Sequence, residues 1–217
     1  MFFVRRFCQR YENMEARLLV LGLTGSIGMG KSTAADMFRR LNVPVHDSDA
    51  TVLKLLKTDK KINEEIRRRF PSVIEREVIN RQKLGNMVFS DSQAREELEK
   101  IIHPVVRLSA RRFLRFHSLR SESLVVHDIP LLYETNGEVN VDAVLVMTAP
   151  EFIRTRRVLS RSGMSIEKFK GIVDSQISDK EKCRRANYVI ETGLGKAYTF
   201  RRLTRLVKHL RLVSRRM

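Results

Sequence analysis

Residues Gly25 to Ser32 read Gly-Ser-Ile-Gly-Met-Gly-Lys-Ser and fit the pattern G-x-x-x-x-G-K-[ST] at every fixed position. Chemically this is a polyphosphate cradle. Backbone N–H groups from Gly25, Ser26, Ile27, Gly28, Met29 and Gly30 can wrap an anion, and the helix N-terminus that follows adds its own unpaired donors. Lys31 would reach the β- and γ-phosphates, and the Ser32 hydroxyl would ligate Mg²⁺. A nucleoside triphosphate, ATP by default, is the ligand this implies.

Phosphoryl transfer needs few further groups: a carboxylate near the acceptor hydroxyl and cations for the transferring charge. Asp49, in the acidic turn Asp47-Ser48-Asp49, could accept the proton of an attacking hydroxyl or hold a water on Mg²⁺. One of these three residues could equally cap the next helix. Asp128 could support Mg²⁺ through water, or simply end a strand. Arg154, Arg157 and Arg161 are spaced i, i+3 and i+7, which describes either a cationic helix face closing over ATP or a solvated face. His103, just before Pro104, has no partner visible in the sequence and reads as a hydrogen-bonded structural histidine.

The elements that must position these groups follow from hydrophobic patterning. Leu18 to Leu23 is an uninterrupted apolar run, as in a strand buried on both faces of a parallel sheet. Lys31 to Leu41 carries Ala34, Phe38 and Leu41 at helical spacing. Further strands are expected at Val43–His46, Leu124–His127, Asp142–Met147 and Tyr188–Ile190, alternating with helices. This predicts an α/β fold with a five-stranded, doubly wound parallel sheet. In such sheets ligands bind beyond the carboxyl ends of the strands, so the loops after the first four strands should converge. Between the second and third strands lies mostly helical sequence, too long for a simple crossover and therefore a candidate helical subdomain. Within it, Ser90-Asp91 reads as an N-cap for Ser92 to Ile102, and His103-Pro104 as a break or kink near that helix's end. Pro150 opens a helix to about Ser160, Ser165 can cap the next, and Ser178 and Glu181 have capping-box spacing.

Composition bounds the alternatives. The chain has 217 residues, 42% of them hydrophobic, enough for one α/β domain with insertions. Cys8 and Cys183 are far apart without metal-ligand spacing, so neither a disulfide framework nor a zinc site is indicated, and a cytoplasmic compartment is expected. No apolar run is long enough to span a membrane. The net charge of +17 could suit nucleic acid. However, the terminal cations alternate with Leu203, Leu206, Val207, Leu210 and Val213, as on an amphipathic helix, and no aromatics interleave with them. No nucleic-acid partner is therefore expected. Met1 to Asn13 reads either as a short basic targeting peptide or, preferably, as sequence ahead of a translation start at Met14.

With these pieces in place, the chain closely resembles the dephospho-coenzyme A kinases, relatives of the nucleoside monophosphate kinases that share the phosphate loop. The resemblance spans about Leu18 to Leu210. It rests on Leu23 to Thr33, Val45-His46-Asp47-Ser48-Asp49-Ala50, Arg81-Gln82-Lys83-Leu84-Gly85 and Leu98 to Pro104. Further segments are Ile129-Pro130-Leu131-Leu132-Tyr133-Glu134, Arg157 to Arg161, Gln176 and Ala186 to Ile190. It implies transfer of the ATP γ-phosphate to the ribose 3′-hydroxyl of dephospho-CoA, the last step of CoA synthesis, by a monomer or weak homo-oligomer. It extends the ATP-contacting loop through Thr33 and makes Asp49 the general base. Lys31 and Arg161 become catalytic cations, Arg157 an ATP-side lid residue, and Arg81, His103 and Leu131 acceptor contacts. The corresponding division is an extension at 1–13 and a kinase domain at 14–217. Within that domain the core is 14–54 with 107–217, the acceptor-binding helical subdomain about 55–106, and the lid about 150–176. Two departures stand out. Ser162 replaces an aspartate that often follows the second lid arginine, and Thr192 stands where an Asn commonly precedes Gly193. The rival readings are another small-molecule or nucleotide kinase of this fold, and a basic protein that uses ATP to regulate nucleic-acid binding.

Overall fold

The computed structural model describes residues 18–75 and 78–215 of the chain. Cys8 and the expectations for Met1 to Met14 lie outside the described residues. The strands are β1 (Leu19–Thr24), β2 (Val45–Asp47), β3 (Ile74–Glu75), β4 (Val78–Ile79), β5 (Leu124–Asp128), β6 (Ala143–Thr148) and β7 (Tyr188–Glu191). The helices are α1 (Lys31–Arg40), α2 (Ser48–Thr58), α3 (Lys60–Arg69), α4 (Arg81–Ser90), α5 (Ser92–Leu119), α6 (Glu151–Leu159), α7 (Ile166–Asp174), α8 (Asp179–Arg185) and α9 (Lys196–Ser214). The chain divides into two compact units, one of residues up to His46 together with those from Leu114 onward, the other of Asp47–Phe113.

The first unit is built on a five-stranded parallel sheet in the order β2-β5-β1-β6-β7. β1 is central and buried at every position, which is why its sequence shows a continuous apolar run rather than alternation. It pairs in parallel with β5, Leu23 opposite Asp128, and with β6, Leu23 opposite Leu145. Leu19, Leu21 and Leu23 of β1 join Leu124 and Val126 of β5 in a core covered by α1 and α9. α9 contributes Leu203, Leu206, Val207 and Leu210 to that core and leaves Arg201, Arg202, Arg205 and Lys208 exposed, so the terminal helix is amphipathic as expected.

The second unit has its own core of Ile62, Ile66, Phe70, Val73, Ile79, Leu84 and Ala94. Here the sequence reading needs two amendments. β3 and β4 form an antiparallel ladder, each strand only two residues long and too short to show a period. The helix capped at Asp91, whose carboxylate accepts from the Gln93 and Ala94 N–H groups, does not end near His103-Pro104. It runs unbroken through Pro104, 28 residues in all from Ser92 to Leu119. A proline inside a helix deletes one backbone bond; here Ile102 and Ala110 are buried on either side of it, and that packing carries the helix through. Among the described residues no helix is long and apolar enough to cross a membrane.

Candidate active site

The loop from Gly25 to Gly30 leaves the carboxyl end of β1 and enters α1. The Met29 N–H donates to the Ser26 carbonyl at 3.1 Å, closing a turn inside the loop. Gly30 caps α1 in the left-handed region (φ 88°), and a Cβ there would press on Thr192 at 3.1 Å. No side chain caps α1, so the N–H groups of its first turn keep their capacity for an anion. Ser32 and Thr33 are exposed on that turn. Gly28 (φ 82°) is more confined, since a Cβ would lie 2.6 Å from Val158 Cγ2.

Side chains from three surrounding segments and one main-chain N–H hold the loop. The Ile27 N–H donates to Gln176 Oε1 at 3.2 Å, while the Ile27 carbonyl accepts from Arg154 Nε at 3.1 Å. Arg154 is buried and also pairs with Asp179 at 2.9 Å, its guanidinium lying over the Phe169 ring. Thr192 Oγ1 donates to the Met29 carbonyl at 3.0 Å and accepts from Arg157 Nη1 at 2.8 Å. Arg157 Nη2 donates to the Thr192 carbonyl at 2.9 Å, and the Ala149 N–H donates to Met29 Sδ at 3.1 Å.

The three spaced arginines thus divide rather than share one face. α6 ends at Leu159, so Arg161 lies in the turn beyond it, exposed and without a side-chain hydrogen bond or ion pair among the described residues. Arg157 is half-buried against the loop, and Arg154 is a structural brace.

Lys31 Nζ donates to Asp128 Oδ1 at 2.7 Å, and Asp128 is only 2% exposed. Asp128 ends β5 directly beside β1, so the strand register itself delivers this carboxylate to the loop. In the acidic turn the capping role falls to Asp47, whose Oδ1 accepts from the Ala50 N–H at 2.9 Å. Asp49 stands exposed in the first turn of α2. Leu131, 42% exposed, follows β5 in the first unit. Asp49, Arg81 (exposed at the start of α4) and His103 (half-buried in α5) belong to the second unit.

Three features escaped the sequence reading. Glu134 Oε1 accepts from the Ile177 N–H at 3.0 Å and lies 2.8 Å from the fully buried Lys182 ammonium. His46 and His127, each preceding a carboxylate at a strand end, meet edge to face at 4.8 Å. Burial, with His46 adding to it, holds the His127 imidazole down at about 4. Burial likewise pushes the Tyr133 hydroxyl up to about 12. His46, Tyr133 and Glu134 each fall inside a segment quoted above, but no spacing marked these contacts.

Comparison with known proteins adds to this geometry. The family model for dephospho-CoA kinase matches residues 19–195. A dephospho-CoA kinase of Mesorhizobium japonicum is 47% identical over 178 residues, 82% of this chain and 89% of the relative. One of Novosphingobium aromaticivorans is 45% identical over 195 residues, covering 90% and 96%. Among solved structures, a Thermus thermophilus protein superposes with a TM-score of 0.79 at 34% identity, covering 89% of this chain and 97% of that one.

Proposed function

The chain belongs to the dephospho-CoA kinase family, and on that footing we propose that it transfers the γ-phosphate of ATP to the ribose 3′-hydroxyl of dephospho-CoA, giving CoA and ADP. The observation that carries this reading is a side-chain-free α1 N-terminus next to Lys31, on a loop of the family's pattern. Loop N–H groups from Gly25 to Thr33 bind and orient the triphosphate. Lys31 leaves Asp128 for the β- and γ-phosphates, where it offsets developing charge. Asp49 takes the proton from the attacking 3′-hydroxyl as the new P–O bond forms and the bond to ADP breaks. Arg161, exposed, is the cation available to the transferring group, while Arg157 steadies the loop on the nucleotide side. Arg81, His103 and Leu131 contact the acceptor.

Mg²⁺ fits the residues present. The exposed Ser32 hydroxyl would ligate it and Asp128 would hold one of its waters, a donor set suited to an ion bound largely by substrate phosphates. Once bound, the ion would neutralise charge across the β- and γ-phosphates. In this reading the helical second unit is the acceptor-binding part and 150–176 the lid. The enzyme works in the cytoplasm, alone or as a weak homo-oligomer, and a free Cys183 is in keeping with a reducing compartment.

An acceptor panel tests the proposal. ADP release should be strong with dephospho-CoA and negligible with nucleoside monophosphates or shikimate. Release with a nucleoside monophosphate and none with dephospho-CoA would overturn it.

A further inference from the structure

The turn between α7 and α8 touches two functional loops through consecutive residues. Gln176 Oε1 accepts the Ile27 N–H of the phosphate loop at 3.2 Å. The next residue, Ile177, donates its N–H to Glu134 Oε1, in the loop that follows β5, at 3.0 Å. Both ends are anchored. Glu134 is neutralised by Lys182, which is fully buried at 2.8 Å, one helical turn after Ser178 caps α8. On the other side Arg154 of α6 donates to both the Ile27 carbonyl and Asp179, so the Ile27 N–H is held by this turn and its carbonyl by an arginine that is itself tied to α8.

We propose that this turn is a spacer fixing the phosphate loop against the loop after β5, and that Gln176 is a positioning residue for phosphoryl transfer. The inference rests on the kinase reading above. Two adjacent residues of an extended turn lie only a few ångströms apart. Tying one to each loop therefore fixes the separation of donor and acceptor sides more tightly than two independent contacts would. Gln176 acts only as an acceptor here, so what matters is its side-chain oxygen and not its amide nitrogen. A loop allowed to drift by about 1 Å loses on the order of 100-fold in rate, because the γ-phosphate is no longer presented in line.

Gln176→Met and Gln176→Glu separate this role from a general structural one. Methionine keeps the length of the side chain without the oxygen, whereas glutamate keeps the oxygen. For each variant, kcat, the KM for ATP and for dephospho-CoA, and the hydrogen exchange of the Ile27 amide would be measured beside the unaltered protein. We expect Gln176→Met to lose on the order of 10- to 100-fold in kcat with the dephospho-CoA KM little changed, and the Ile27 amide to exchange faster. Gln176→Glu should restore most of the rate and the slow exchange. A Gln176→Met enzyme within twofold of normal kcat, or a Gln176→Glu enzyme as impaired as it, would overturn the proposal. If the unaltered protein fails to phosphorylate dephospho-CoA, the kinase reading falls. The exchange arm still decides the tie, which stands only if Gln176→Met alone releases the Ile27 amide.

Discussion

Lys31 Nζ lies 2.7 Å from Asp128 Oδ1, so the one ammonium in the phosphate loop is neutralised by a carboxylate that the sheet has already buried. The pair explains why the lysine at the start of α1 is held against the end of β5, because a buried carboxylate lacking its cation carries a heavy desolvation cost. Phosphate oxygens offer the ammonium more negative charge than Asp128 does, so the lysine can move to them.

Lys31→Ala should therefore have two effects. ATP affinity should fall at least tenfold, measured by calorimetric titration. The nucleotide-free protein should lose about 1–3 kcal/mol, because Asp128 keeps its charge without the ammonium. Unchanged thermal stability would mean that the pair contributes little to the fold.

Thr192 offers a second test. Its hydroxyl donates to Met29 and accepts from Arg157, inside the protein and between the phosphate loop and the β7–α9 turn. Thr192→Val leaves the Met29 carbonyl without its donor and takes one acceptor from Arg157, which keeps the Thr192 carbonyl, an expected loss of about 1–3 kcal/mol with a several-fold higher KM for ATP. Thr192→Ser should recover most of both. Chemical denaturation and steady-state kinetics on the pair of variants would check it.

Gly28 probes the shape of the loop. Its left-handed backbone, and the 2.6 Å approach a Cβ would make to Val158 Cγ2, predict that Gly28→Ala costs about 1–3 kcal/mol and weakens ATP binding. Adding Val158→Ala removes the closest clash but neither the 3.1 Å approach to the Arg154 carbonyl nor the strained φ, so the double variant should recover only part of the ATP affinity.

His127 gives the pH dependence. Its folded value of about 4 lies below the ordinary 6.5, so the folded protein keeps it neutral where the unfolded chain would protonate it. Stability from this group is complete above pH 6.5 and is lost as pH falls from there toward 4, by about 3 kcal/mol at most. Thermal midpoints across pH 4 to 7 should show that slope, and His127→Gln should flatten it.

What the sequence made legible was whatever local pattern dictates. The continuous apolar run before Gly25 located β1, and the alternation of strand and helix signals predicted all five strands of the sheet. The α9 core face was equally plain from Leu203, Leu206, Val207 and Leu210. Contacts set by tertiary closure were not legible. Thr192 stood out only as a departure from a family pattern, and its bridge to Met29 spans 163 residues of chain. Glu134 and Lys182 meet because α8 folds back, which no spacing announces. Pro104 misled because helix propensity is local, whereas the packing of α5 is not.

The most direct test of the central claim follows labelled phosphate from [γ-³²P]ATP into dephospho-CoA in a single turnover, with the unaltered protein and with Asp49→Asn. Asparagine removes the base without changing size. Labelled CoA is expected from the unaltered protein, and for Asp49→Asn a transfer rate lower by about 100-fold or more with ATP binding intact. Transfer by Asp49→Asn at a near-normal rate would contradict that claim.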